Sequence, residues 1–128
     1  MSSKTQKNQI QKRINSFKYA FKGIGDLFKS QINARIHAFF MLLVIGGGFF
    51  FNIPKTEWLM CIISMAMVLA AEAMNTALEY LTDLVSPDYH SLAGKAKDAA
   101  AAAVLILAIT ATIIGFSVFW NPFIELFK

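Results

Sequence analysis

From Ala99 to Trp120 the chain runs 22 residues without a charged side chain. As a helix, that stretch is long enough to cross the ~30 Å hydrocarbon core of a bilayer. Few soluble folds tolerate such a segment. Two further apolar stretches precede it. Ala38–Ile53 carries no charge but is rather short for a span. Trp58–Ala71 is uncharged for only 14 residues, yet its helical pattern continues to Val85 through a stretch that contains acids. Composition agrees with a membrane fold. The apolar fraction is 56% and the charged fraction 16%, against soluble averages of about 45–50% and about 25%.

The expected architecture is an all-α integral membrane protein. A polar tail over residues 1–9 precedes one membrane domain over residues 10–128. That domain comprises an interfacial helix over about 10–30 and spans over about 37–53, 57–85 and 98–120. The interfacial helix is read from Ile10, Ile14, Phe17, Phe21, Ile24 and Phe28, which recur every three or four residues and share one helix face. Lys12, Arg13, Lys18, Lys22 and Lys29 occupy much of the remainder, as in helices that lie in a membrane interface. Packing on a soluble core is the alternative, and the spans that follow favour the interface.

Charge orients the chain. Residues 1–36 carry Lys4, Lys7, Lys12, Arg13, Lys18, Lys22, Lys29 and Arg35 against Asp26 alone. A basic end before apolar spans faces the cytoplasm and anionic lipid. It leads straight into apolar spans, so nucleic acid is not the expected partner. No cleavable signal peptide is recognisable. Lys95 and Lys97 place the loop before the third span on the same, cytoplasmic side. The turn at Pro54 and the C-terminus then lie outside. Phe49–Phe51, Trp58 and Trp120 all fall near the outer interface, where aromatic residues are favoured. Asn52 to Lys55 form the first turn, Ser86-Pro87-Asp88 ends the second span, and Asn121-Pro122 closes the third. The lone Cys61 excludes an intrachain disulfide and reads as packing. Gly46-Gly47-Gly48 allows close helix contact. It is not a phosphate loop, because no Gly-Lys-Ser/Thr follows.

The second span carries the chemistry. Glu72, Asn75, Glu79 and Asp83 are spaced 3, 4 and 4 residues apart, which confines them to a helix face of about 80°. A carboxylate inside a span is costly and marks a functional site by default. The competing structural reading is a polar clamp between helices. One acid could serve that purpose, but four polar groups on one face argue for more. Glu72 lies about 21 Å in from the outer end of its helix. Glu79 lies two turns further, at the level of Lys95, Lys97 and Asp98. Such a cluster has the parts phosphoryl transfer requires: carboxylates for Mg²⁺, a lysine for phosphate charge, and a base for the attacking hydroxyl. Glu72, the deepest acid, fits the base and Glu79 the metal. Proton-coupled transporters also bury acids. A small proton- or cation-coupled oligomer using Glu72 and Glu79 is therefore the alternative, although the Lys97-Asp98 pair has no evident role in it.

Three stretches carry a family resemblance: Glu72-Ala73-Met74-Asn75-Thr76-Ala77-Leu78-Glu79 with Asp83, Tyr89-His90, and Ala96-Lys97-Asp98 followed by Ala101-Ala102-Ala103-Val104-Leu105. Together they closely resemble the bacterial diacylglycerol kinase family, which includes undecaprenol kinases. Phe17-Lys18-Tyr19-Ala20-Phe21-Lys22-Gly23 and Asn33-Ala34-Arg35-Ile36-His37 are similar to it as well. The resemblance spans roughly residues 12–120. It implies an ATP- and Mg²⁺-dependent lipid kinase of the bacterial inner membrane. The expected assembly is a homotrimer, with active sites between subunits at the cytoplasmic surface. The substrate is diacylglycerol or undecaprenol, and the sequence does not choose between them.

By residue, the resemblance implies Glu72 as proton acceptor, supported by Asn75, and Glu79 as a metal-binding glutamate. Glu79, Lys97, Asp98, Tyr19 and the Asp88-Tyr89-His90 turn contact ATP, with Lys12 or Arg13 as a further basic contact. Asp83 and Lys95 support the site. The family's second metal-binding glutamate, just before the first span, corresponds here to Gln31. That departure leaves a non-catalytic assembly subunit as a third reading. Outside the resemblance, Tyr19 also reads as an interfacial aromatic, His90 as a solvated loop residue, His37 as an interfacial or packing residue, and Lys95 as a topology charge.

Overall fold

A computed structural model describes the backbone of residues 2–128 and the side chains of residues 8–128; the side chains of Lys4 and Lys7 lie outside the described set. Four helices follow in order, α1 (Ser2–Ser30), α2 (Ile32–Phe50), α3 (Lys55–Val85) and α4 (Ser91–Glu125), and the described residues contain no strand. Three of them, α2, α3 and α4, are long and apolar enough to cross a membrane. Residues up to Ile32 form one compact unit and Asn33–Lys128 a second.

In the first unit α1 is a single helix of 29 residues. It begins at Ser2, so most of the stretch expected as a polar tail is helical. Nothing there breaks a helix: the segment before Gly23 holds no Pro or Gly, and Gln and Lys are good helix formers. Ile10, Ile14, Phe17, Phe21 and Ile24 are all more than half exposed, so the apolar stripe of this amphipathic helix is uncovered.

The second unit is an α2–α3–α4 array with short connections, which make consecutive helices antiparallel. α2 starts at Ile32, five residues before the expected span, and takes in Asn33 and Arg35. Charge marks where a helix leaves the hydrocarbon, whereas the backbone stays helical as long as its own hydrogen bonds demand. The end of α2 is a Schellman motif. Asn52 adopts φ 50°, and Ile53 N–H donates to Gly48 O at 3.1 Å and Asn52 N–H to Phe49 O at 3.3 Å. Asparagine tolerates the left-handed conformation this motif needs, and Pro54 prevents the helix from resuming.

That turn anchors the core. Ile53, Cys61 and Val118 are buried together, with Trp58, Phe51 and Phe119 packed around them. Cys61 is free and buried, as its packing role required. The Phe49 and Trp58 rings lie 5.0 Å apart at a tilt of 56°, and Phe51 approaches Phe119 at 6.1 Å, so the aromatic residues gather at one end of the array. Two of the three consecutive glycines make the close approaches. A β-carbon at Gly47 would stand 3.2 Å from Phe119, and one at Gly48 only 2.7 Å from the Trp58 ring. Gly46 meets nothing within 4 Å. Gly48→Ala therefore costs about 1–3 kcal/mol through overpacking, whereas Gly46→Ala is neutral or stabilising. Thermal unfolding in detergent checks this, and equal melting temperatures for the two variants would remove Gly48 as a packing determinant.

α3 packs along α4. Its buried residues, Cys61, Ser64, Val68, Glu72, Asn75 and Thr76, form one face, with Ala100, Val104 and Val118 buried on α4. α4 runs through Pro122 to Glu125, past the expected stop. Proline removes a single helical hydrogen bond, to the carbonyl of Val118, and the helix continues for one further turn to Glu125.

Candidate active site

Along the buried face of α3 the lining changes from apolar to polar. Cys61 and Val68 give way to Glu72, Asn75 and Thr76, at 1%, 7% and 6% exposure. Glu72 is one of the two largest fully buried side chains among the described residues, with Cys61. Among the described residues its Oε2 has no hydrogen-bond partner, and neither does Oδ1 of Asn75. Buried polar atoms are almost always satisfied, and an orphan in a native structure calls for an explanation such as a bound ligand or a catalytic role. The Thr76 hydroxyl donates to the backbone carbonyl of Glu72 at 2.9 Å and holds the helix at that point.

Asn75 and Glu79 form a unit. Asn75 Nδ2 donates to Glu79 Oε1 at 3.1 Å, one helical turn away. Glu79 is half-buried, and its second oxygen remains available. One turn further, Asp83 accepts a charge-assisted hydrogen bond from Lys97 Nζ, which ties α3 to α4. Both partners are substantially exposed, at 65% and 39%. Surface pairs of this kind are worth about 0.2–1 kcal/mol, so Lys97 can leave Asp83 for a phosphate at little cost.

Lys97 falls on the side of α4 that also carries Ala100 and Val104, which is why it meets α3. Lys95 and Asp98 are exposed, on other faces of the helix, and make no hydrogen bond or ion pair among the described residues. Asp88 and Tyr89 are exposed in the α3–α4 turn, where the Asp88 carbonyl accepts from Ser86 Oγ at 3.0 Å. His90 is the N-cap of α4, and its Nδ1 accepts from Leu92 N–H at 3.2 Å. It is therefore more than the solvated loop residue that its sequence position suggests.

The site residues of the first unit are described on their own. Lys12 and Tyr19 are exposed and seven residues apart, which places them on one face of α1, opposite the apolar stripe. Arg13 is turned about 100° from Lys12 and flanks the stripe. Gln31 is the single non-helical residue between α1 and α2; it is partly exposed, and its backbone N–H donates to Leu27 O at 2.9 Å.

Among the described residues no three His, Cys, Asp or Glu side chains converge as a metal centre. Mg²⁺ does not require one, since it is commonly held by one or two carboxylates together with substrate phosphates and water. Glu79 suits that mode, with one oxygen oriented by Asn75 and the other open.

Sequence reasoning passes over His37 as a site residue. It lies on α2 within electrostatic reach of Glu72, as does Glu79. The available signal is its position just inside the polar end of an apolar run, at a depth similar to that of Glu72.

The family description "prokaryotic diacylglycerol kinase" matches residues 18–119. The chain belongs to the prokaryotic diacylglycerol kinase family. This prokaryotic diacylglycerol kinase family member is 34% identical to an undecaprenol kinase of Bacillus subtilis, over 93% of the chain and 97% of that relative. It is 38% identical to a diacylglycerol kinase of Synechocystis sp., over 87% of the chain and 64% of that relative. With a diacylglycerol kinase of Escherichia coli K12 it shares 29% identity over 86% of the chain and 90% of that relative. The matched region contains the whole α3 face and the Lys97–Asp83 pair.

Proposed function

We propose that the protein is an ATP- and Mg²⁺-dependent lipid kinase that phosphorylates the hydroxyl of diacylglycerol or undecaprenol. The observation that carries this reading is Glu72, buried with an unpartnered carboxylate oxygen on the helix face that continues through Asn75 and Glu79 to the Lys97–Asp83 pair. Membership of the diacylglycerol kinase family supports it.

In the proposed reaction the lipid hydroxyl attacks the γ-phosphorus of ATP. The new O–P bond forms as the bond to the β-phosphate oxygen breaks, ADP departs with the bonding electrons, and Glu72 takes the hydroxyl proton. Glu79, oriented by Asn75, would hold Mg²⁺ together with Gln31, and the ion would neutralise phosphate charge. Lys97 releases Asp83 to bind phosphate. Asp98, Tyr19 and the Asp88-Tyr89-His90 turn complete the nucleotide contacts. Of the two basic candidates on α1, Lys12 is favoured over Arg13, because it shares a face with Tyr19. Asp83 and Lys95 support the site.

The working form proposed is a homotrimer in the bacterial inner membrane, with sites shared between subunits at the cytoplasmic face. A groove of about 420 Å³ supports this: it runs beside Ala70, Ala71, Ala100 and Ala103, small side chains of the kind that admit close helix contact, and has Asn75, whose Oδ1 is unpartnered, on its wall. The test is phosphate transfer from Mg-ATP by purified protein in detergent or bilayers. Transfer to diacylglycerol or undecaprenol is expected, and activity with neither would sink the proposal.

A further inference from the structure

The Mg²⁺ proposed at Glu79 has one charged side-chain ligand, because its second proposed ligand, Gln31, is neutral. An amide oxygen can ligate the ion but brings no charge to it. A further carboxylate close by would offset that. Most acids of the second unit are badly placed to do so. Glu57 stands near the start of α3, about 33 Å from Glu79 at about 1.5 Å per residue. Glu125 ends α4, about 42 Å beyond Lys97. Asp88 lies past the end of α3, in the turn. Asp98 is rotated about 100° around α4 from Lys97, the residue that meets α3. Asp83 remains. It follows Glu79 by one turn on the same face of α3.

The turn between these two carboxylates is held firmly. The Thr82 hydroxyl donates to Leu78 O and to Glu79 O, both at 2.9 Å. Side chains so related have β-carbons about 5–6 Å apart. Glu79 Oε1 is drawn back toward Asn75, on the side away from Asp83, and the aspartate side chain is short. Mg²⁺ also gives up its water reluctantly and usually keeps several molecules of it. Spacing and hydration together suit a water-mediated contact from Asp83 rather than direct ligation. Asp83 is engaged by Lys97 while no phosphate is bound. When Lys97 turns to a phosphate, the aspartate loses its counter-charge beside the cation. At 65% exposure its side chain has room for water.

We propose that Asp83 is a positioning residue for the metal: once Lys97 has exchanged it for phosphate, its carboxylate accepts hydrogen bonds from water on the cation held by Glu79, and so offsets the charge that Gln31 does not supply. The inference rests on the lipid-kinase reading for its cation and nucleotide. It adds the second half of an exchange. One ion pair, Lys97–Asp83, is replaced by two contacts, lysine to phosphate and aspartate to hydrated metal. Nucleotide and metal binding are thereby coupled through a single surface pair.

Mn²⁺ is the probe, because electron paramagnetic resonance separates its bound and free forms without turnover. The full-length protein in bilayers is titrated with Mn²⁺ at a saturating level of β,γ-methylene-ATP, which transfers no phosphate. Asp83→Asn should weaken Mn²⁺ binding about tenfold, as expected for a lost outer-shell partner. In a Gln31→Glu background, where a direct ligand carries the charge, the same change should weaken it less than about threefold. Lys97→Met breaks the same ion pair but leaves Asp83 in place. It should weaken binding of the nucleotide analogue, with Mn²⁺ affinity at saturation within about threefold of the parent. Unchanged Mn²⁺ binding in Asp83→Asn would overturn the assignment. So would equal losses in the two Gln31 backgrounds, or equal losses in Asp83→Asn and Lys97→Met, which would leave Asp83 a tie between helices. The expected Mn²⁺ pattern without phosphate transfer from Mg-ATP to any lipid would reject the kinase reading and keep the role of Asp83.

Discussion

Glu72→Gln is expected to give a folded membrane protein with turnover reduced by about 10²–10⁴-fold, the usual span for loss of a general base. Glutamine keeps the shape of the side chain and cannot take a proton from the attacking hydroxyl. Stability should not suffer. The carboxylate is buried with one oxygen unpartnered, and a buried polar group without a partner costs folding energy. The melting temperature should stay level or rise while activity collapses. Measuring both on the same preparation decides the matter. A variant that melts early and loses activity in proportion would make Glu72 a structural clamp. Full turnover would remove it from the chemistry.

The second large effect is expected at Glu79. Glu79→Gln removes the only charged ligand proposed for Mg²⁺ apart from the nucleotide phosphates. The Mg²⁺ concentration for half-maximal rate should rise more than about tenfold, with kcat also reduced. Asn75→Ala should shift the same titration in the same direction, because Asn75 Nδ2 orients Glu79 Oε1. Losing an outer-shell partner of this kind commonly costs about 10–100-fold in metal affinity. Gln31→Glu should move the Mg²⁺ requirement the other way, by restoring a charge where the family resemblance expects one. If Glu79→Gln lowers kcat with an unaltered Mg²⁺ titration, the metal is held elsewhere.

Much of this protein is legible along the chain because its determinants are local. The length of an uncharged run decides whether a helix can span a bilayer, and Ala99–Trp120 needs no neighbour to make that case. Spacing decides which residues share a helix face, so Glu72, Asn75, Glu79 and Asp83 align without any knowledge of packing. The Asn75–Glu79 hydrogen bond is itself local, between residues one turn apart. Helix ends are less legible. Charge and proline suggest where spans stop, but the backbone of α1 begins at Ser2 and that of α4 continues through Pro122, because hydrogen-bond continuity sets the boundary.

The carboxylates of the second span are thus set on one face by sequence periodicity alone. What tertiary structure decides is who meets them. Asp83 takes Lys97 from across the α3–α4 contact, fourteen residues away. Gly48 admits the Trp58 ring because α2 and α3 fold back on each other at Asn52. His37 comes within reach of Glu72 because α2 and α3 line a common groove. Helical periodicity relates residues a few positions apart and says nothing about which faces of separate helices meet. That is settled by how the apolar surfaces of whole helices pack, and only the folded array expresses it.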